Sequence, residues 1–249
     1  MNTRNKTIRT HIKSQAWIAI AVIAGLFVAL FIYNLYKPKK AVPPHSVSNS
    51  SIRAIDTTSI INDQAWFERA YDEGFRLYIL HTTNWGTCEE WYRTVPQIQM
   101  AIDAGLKVAA YTRDPRCWRQ GILATQPYVD QLQFFALDIE TVPGVPATRD
   151  MVEGIKNLGV RPVIYTGSGM WDDVQKNHDR NFSDVALWDT NVSTFDYSSW
   201  TADYLQPTPI TYGGWNTSST MRVGVQQQFE YTLNGIQVDL NSFESSFLK

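Results

Sequence analysis

Cysteine is nearly absent: the chain of 249 residues holds two, Cys88 and Cys117. That number excludes a disulfide-built scaffold, and the pair lacks the spacing of a metal site. The two are compatible with one disulfide between adjacent loops in an oxidising compartment, or with two separate buried thiols. Histidine is scarce as well, with four residues scattered along the chain and no His-x-x-x-His pattern of a zinc hydrolase. Charge is sparse, at 18% of residues with a net value of −2, so there is neither a basic face for nucleic acid nor an acidic tail. No internal repeat is visible. What the chain has is apolar mass, 44% of its residues, including nine tryptophans and twelve tyrosines. That is enough for a substantial core and excludes disorder of the whole chain. Aromatics in this number serve either a filled core or the platforms of a sugar-binding cleft.

One long uncharged run stands near the N-terminus. From Ser14 to Tyr36 there is no formal charge, and Trp17 to Tyr33 is almost wholly apolar. A helix of this length crosses a hydrocarbon layer of roughly 30 Å. Trp17, Tyr33 and Tyr36 stand at its ends, where aromatic rings favour the headgroup level, and basic residues flank both sides. A cleaved signal peptide would have a shorter apolar region followed by small residues, whereas this one runs into Asn34-Leu-Tyr-Lys-Pro-Lys-Lys. The expectation is a short basic tail over 1–13, an uncleaved signal anchor over 14–36 and a Pro- and Ser-rich tether over 37–50. The folded domain then occupies 51–249. Arg4, Lys6, Arg9 and Lys13 precede the anchor and Lys37, Lys39 and Lys40 follow it, a bias too slight to fix orientation. A single-pass protein with its N-terminus inside and its domain on the outer face is expected from the substrate inferred below. Asn-x-Ser/Thr sequons beyond the anchor, at Asn49, Asn181, Asn191 and Asn216, agree with that face only in a eukaryotic source.

Beyond the tether, apolar periodicity alternates between two and 3.6 residues. Strands are predicted at Ile52–Asp56, Phe75–Thr82, Leu106–Tyr111, Phe134–Glu140, Arg161–Tyr165, Val185–Trp188, Pro209–Tyr212, Arg222–Gln226 and Ile236–Leu240. Helical segments are predicted around Trp66 to Tyr71, Val95 to Ala104, Arg149 to Leu158 and Met170 to Lys176, with a loop-and-helix region at Cys117. Each early strand is followed by a crossover of helical length, whereas the last candidates have little helix between them. The predicted fold is therefore α/β: an irregular barrel of the TIM type with a strand-rich C-terminal end. An open doubly wound sheet is the alternative.

Four carboxylates fall at strand ends. In Leu137-Asp-Ile-Glu140 the two acids are two residues apart, so both project to one side of the sheet. They follow an apolar strand at its C-terminal end, the end that faces the active site in parallel α/β folds. Asp and Glu also end strands simply as turn caps, but Asp56 ends the first strand and Asp239 lies at the end of the last. In a closed barrel those strands are neighbours, so Asp56 and Asp239 approach each other and face Asp138 and Glu140 across one mouth. Such a cleft suits glycosidic cleavage, which uses one protonated carboxyl to donate to the leaving oxygen and a charged one to support an oxocarbenium-like transition state. Crowded like charges raise at least one pKa, which supplies that proton near neutral pH. Grouped acids also bind hard divalent cations. The expectation nevertheless is hydrolysis with no metal and no cofactor.

In this order and spacing the domain resembles the glycoside hydrolase family 25 lysozymes, the Chalaropsis-type barrel lysozymes. The resemblance runs from Ala54-Ile-Asp56-Thr-Thr to Val238-Asp239-Leu-Asn241-Ser-Phe243. It includes Ala104-Gly-Leu-Lys-Val-Ala-Ala-Tyr111, Ala136-Leu-Asp138-Ile-Glu140, Gly159-Val-Arg-Pro-Val-Ile-Tyr165-Thr with Trp171, and Leu187-Trp188. It implies a barrel that cleaves the β-1,4 bond between N-acetylmuramic acid and N-acetylglucosamine in peptidoglycan. By motif position Glu140 would be the general acid, and Asp138 would stabilise the transition state or orient the acetamido group. Asp56 and Asp239 would bind and tune, and Tyr111, Tyr165 and Trp188 would line the cleft, although each suits a core equally. Two segments depart from the family pattern. Leu80-His-Thr-Thr-Asn-Trp-Gly86 replaces a Lys-Ala-Thr-Glu-Gly-like run, and Tyr111-Thr-Arg-Asp-Pro-Arg-Cys117 is unlike the usual sequence after the third strand. A function of another class, a membrane-tethered carbohydrate-binding barrel that keeps the acids without turnover, is favoured by that altered loop; retention of all four acids favours the enzyme.

Overall fold

The computed structural model describes residues 51–190, 210–215 and 221–249. The predicted anchor and tether lie outside the described residues; among those, no helix is long and apolar enough to cross a membrane.

Eight strands close into one barrel in chain order. They are β1 (Ser51–Thr57), β2 (Phe75–His81), β3 (Lys107–Thr112), β4 (Leu132–Asp138), β5 (Pro162–Thr166), β6 (Ala186–Asp189), β7 (Arg222–Leu233) and β8 (Ile236–Glu244). Five helices follow the first five strands: α1 (Gln64–Asp72), α2 (Thr94–Asp103), α3 (Trp118–Leu123), α4 (Arg149–Asn157) and α5 (Ser168–Val174). The closed barrel replaces the open doubly wound alternative.

Local chemistry sets the crossovers. Asp63 accepts from the Ala65 N–H at 3.0 Å and starts α1, and Trp66, Phe67 and Ala70 form its buried stripe. Thr148 does the same for α4 through the Met151 N–H, and Val152 and Ile155 face the sheet. Inward-pointing residues, two apart on each strand, fill the barrel: Phe134 stacks on Phe243 with centroids 5.2 Å apart, and Trp188 meets Phe243 at 5.5 Å. Gly224 on β7 makes room for this plug, since a Cβ there would stand 2.5 Å from Phe243 Cε1.

The last strand departs from the parallel order of a regular TIM-type barrel. β1 through β7 pair in parallel, but β8 is antiparallel to both β7 and β1. A two-residue turn at Asn234-Gly235, with φ of 49° and 81°, makes the hairpin. Asp239 therefore lies near the start of β8 rather than at its C-terminal end. Because β8 runs downward from the mouth, that early position is the one that opposes Asp56.

The strand predicted at Pro209–Tyr212 is not formed over its described part, Ile210 to Tyr212. Gly213 and Gly214 follow at φ of 64° and 78°, and the apolar side chains fill space under β6 as a buried loop. There Trp215 donates to the Val185 carbonyl at 2.8 Å, and the Tyr212 hydroxyl donates to Asp189 at 2.6 Å.

Candidate active site

The alternation that fills the barrel also builds its mouth. On five strands an inward position near the mouth reaches the top of the plug: Asp56 on β1, Tyr111 on β3, Asp138 on β4, Tyr165 on β5 and Trp188 on β6. Register aligns them, with Asp138 opposite Tyr165 and Tyr165 opposite Trp188. Asp56 pairs with Asp239 across the β1–β8 seam. Glu140 lies just past β4, two residues beyond Asp138, and keeps the same orientation. All seven predicted site residues, Glu140, Asp138, Asp56, Asp239, Tyr111, Tyr165 and Trp188, line one cleft of about 310 Å³, within the range of small-molecule sites of about 300–1,000 Å³.

Two amides on β7 and β8 organise the acids. The Trp188 indole N–H donates to Asn241 Oδ1 at 2.8 Å. An indole nitrogen only donates, so this bond fixes the amide and turns Asn241 Nδ2 onto Asp56 Oδ1 at 2.7 Å. Tyr165 donates through its hydroxyl to Gln226 Oε1 at 2.5 Å. The Gln226 NH2 then reaches Asp239 Oδ2 at 2.9 Å and Asp56 Oδ1 at 3.4 Å. A backbone donor completes the Asp239 shell: the Glu230 N–H lies 2.7 Å from Oδ1. Tyr165 and Trp188 are thus buried core aromatics and members of the cleft wall at once.

Electrostatics separate the carboxyls from ordinary surface acids. Burial, then the Asp239 charge, push Asp56 well above the usual carboxylate range, against the opposing bonds from Asn241 and Gln226. Asp138 is raised likewise by burial and then by Glu140, with Arg113 pulling the other way. Glu140, half-buried, is raised by burial while Arg113 opposes the shift. Asp239 is raised by burial, against its bond from the Glu230 N–H. Asp138 Oδ1 is buried with no hydrogen-bond partner among the described residues. An acceptor left bare in this way is costly unless a ligand supplies the donor.

Besides Gln226, further contributors escaped the sequence reading. Arg113, the residue after β3, lines the cleft with its guanidinium 3.6 Å over the Trp85 ring. It stands two residues beyond Tyr111, so the alternation that links Asp138 to Glu140 also pointed to it. Glu230 adds a fifth carboxylate to the wall from a left-handed backbone at φ 53°. Thr57, Thr58 and Ser59 form the rim after β1, with Thr57 Oγ1 donating to the Gln237 carbonyl at 2.7 Å. Among the described residues no group of three or more His, Cys, Asp or Glu is arranged to hold a metal ion.

The segments that depart from the family pattern form one structure beside the cleft. Cys88 and Cys117 are joined as a disulfide, which settles the choice the sequence left open. It ties the loop after β2 to the turn after β3, neighbours because those strands pair. His81, in the segment that replaces the Lys-Ala-Thr-Glu-Gly-like run, packs on Trp91 with centroids 4.0 Å apart. Burial, and then the Arg113 charge, lower its pKa to about 4, so a neutral ring occupies the position near neutral pH.

No protein-family model matches the sequence, and no curated protein does. Solved structures share the fold. A muramidase from Acremonium alcalophilum is 21% identical, with 77% of this chain and 93% of that one covered, at a TM-score of 0.51. The spore cortex lytic enzyme SleM of Clostridium perfringens is 19% identical over 78% of this chain and 67% of its own, at 0.50. An uncharacterised protein from B. stearothermophilus is 15% identical over 80% of this chain and 100% of its own, also at 0.50. At these identities the likeness is one of fold.

Proposed function

We propose that this chain is a glycoside hydrolase of the lysozyme type that cleaves β-1,4 bonds between N-acetylmuramic acid and N-acetylglucosamine in peptidoglycan. The observation that carries the reading is the grouping of Asp138, Glu140, Asp56 and Asp239 in one cleft, every one of them raised above its usual pKa. Crowded, buried carboxyls retain protons toward neutral pH, and such a proton is what a departing glycosidic oxygen needs. Glu140 is the donor because it is the half-exposed member of the central pair. Asp138 lies deeper, 4% exposed, and once it has given up its proton it opposes, as a carboxylate, the positive charge that builds at the anomeric carbon. Its unpartnered Oδ1 suits the N–H of a substrate acetamido group, which orients the ring being cleaved. The amide relay from Trp188 and Tyr165 holds Asp56 and Asp239 against the opposite wall, where they bind sugar hydroxyls and tune the pair. The fold shared with a muramidase and a spore cortex lytic enzyme supports the same reading.

The same proposal places the domain on the outer face of a membrane, tethered through 37–50 to a single-pass anchor at 14–36. The Cys88–Cys117 disulfide supports an oxidising, extracytoplasmic setting. Protease added to intact cells removes a domain so placed; full protection overturns the placement.

Incubation of the full chain with purified peptidoglycan, with release of new reducing ends as the readout, tests the activity. Glu140→Gln lowers the rate by on the order of 10²-fold or more if it removes the general acid. Glycan binding without reducing ends at any pH replaces the enzyme by the alternative, a tethered carbohydrate-binding barrel.

A further inference from the structure

The cleft wall is acidic: Asp56, Asp138, Glu140, Glu230 and Asp239 all line it. Arg113 is the sole cation among its described lining residues. Among the described residues the guanidinium makes no hydrogen bond or ion pair with a protein acceptor. Its one close partner is the face of Trp85, a ring left 53% exposed in the loop after β2. Such stacking orients a guanidinium without using its N–H groups, which remain directed for a planar acceptor.

The surroundings hold this pair in place. Arg113 sits between buried Thr112 at the end of β3 and Asp114, whose carboxylate accepts the Arg116 N–H at 3.0 Å and caps the turn Pro115–Cys117. Trp85 belongs to a small hairpin closed by the Thr83–Glu90 bridge and by the Asn84 N–H on the Glu89 carbonyl at 2.9 Å. The Cys88–Cys117 disulfide joins the two pieces. The cation thus enters the cleft from the end of β3, whereas Glu230 and Asp239 enter it from β7 and β8.

We propose that Arg113, backed by Trp85, receives the carboxylate of the lactyl ether on N-acetylmuramic acid, so that the cleft prefers a glycan whose carboxyl is free. The inference rests on the glycosidase reading of this same cleft and adds a substrate preference to it. An anionic chain approaching five carboxylates is repelled, and one guanidinium in a fixed orientation offers two parallel N–H donors to a carboxylate. In intact peptidoglycan the lactyl carboxyl is consumed in an amide to the stem peptide. Amide hydrolysis that strips the peptide then supplies the substrate this cleft prefers.

The test uses the full chain and three chains of the same β-1,4 hexosamine backbone: a neutral N-acetylglucosamine oligomer, a peptide-free muramic glycan and a peptide-bearing one. The peptide-free glycan is expected to exceed both others in kcat/KM by on the order of 10- to 100-fold, the range of a hydrogen bond to a charged group. Arg113→Gln brings these ratios towards one, and Arg113→Lys restores part of them. Loss of Arg113 also removes the charge that holds Glu140 down, but the resulting shift of the pH profile is common to all three substrates and leaves their ratio untouched. A ratio unchanged by Arg113→Gln, or a wild-type preference for the peptide-bearing chain, overturns the proposal. If no chain is cleaved, the hydrolase reading fails separately, and calorimetric binding of the peptide-free glycan decides this one. Weaker binding in Arg113→Gln upholds the carboxylate receptor, and equal binding refutes it.

Discussion

Removing the Cys88–Cys117 link by the paired substitution Cys88→Ser and Cys117→Ser lowers stability while sparing the acids. The cysteines are 29 residues apart, and closing a loop of that length withdraws entropy from the unfolded chain worth roughly 3.5 kcal/mol at 25 °C. For a domain of this size each kcal/mol moves the melting temperature by about 2–4 °C, so the shift is about 7–14 °C downward. The disulfide ties loops after β2 and β3, whereas the acids stand on β1, β4 and β8 with hydrogen bonds from β7 and β8. Hydrolysis at low temperature therefore persists in the variant, and only the preference for a free carboxylate weakens as Trp85 and Arg113 lose their common support. Scanning calorimetry of the oxidised, reduced and substituted proteins measures the first effect, and kcat/KM on the peptide-free and neutral glycans the second. A melting shift under about 2 °C, or abolished hydrolysis in a variant that is still folded, refutes this division between brace and acids.

Two further perturbations probe the mouth. Asp138 is raised in the fold above its unfolded value, so the fold favours its protonated form. Its stability contribution is full below the unfolded carboxylate pKa and is lost as pH rises through the raised one. Asp138→Asn, which is inactive if Asp138 acts as proposed, accordingly gains stability over the wild type as pH rises from 4 to 8. Urea midpoints across that range check it, and a difference that is flat or shrinks with pH contradicts it. Trp188→Phe deletes the donor that orients Asn241, leaves a buried amide oxygen bare and destabilises by about 1–3 kcal/mol. It also lowers kcat by releasing Asp56 from its amide; a denaturation midpoint and kcat both at wild-type levels refute the relay.

Much of the site was legible because barrel parity is simple. Asp138 and Glu140 share a face by a period of two, and Asp56 meets Asp239 because a barrel must close. The second inference reached the right neighbour by an incomplete route, since β8 runs antiparallel and presents Asp239 near its start. Arg113 obeys the same parity from Tyr111 and was within reach. Glu230 was not, because β7 breaks register between Gln226 and Gln228 and again between Gln228 and Tyr231, which destroys the alternation that would have marked it. The apolar stretch ending at Tyr212 shows the opposite limit. A short apolar run reads alike as a strand or as a buried loop, and the packing of Trp215 and Tyr212 under β6 decides between them. The disulfide became legible only once β2 and β3 were known to be neighbours.

Proton transfer from the grouped carboxyls to a glycosidic oxygen is the step on which the proposed hydrolysis turns. Its most direct measurement is reducing-end release from peptide-free muramic glycan by the full chain across pH, beside Glu140→Gln. Release by the wild type falls on the alkaline side as Glu140 loses its proton, and the rate is lower by on the order of 10²-fold or more in the variant. Equal rates in the two proteins, or glycan bound by both and cleaved by neither, would contradict it.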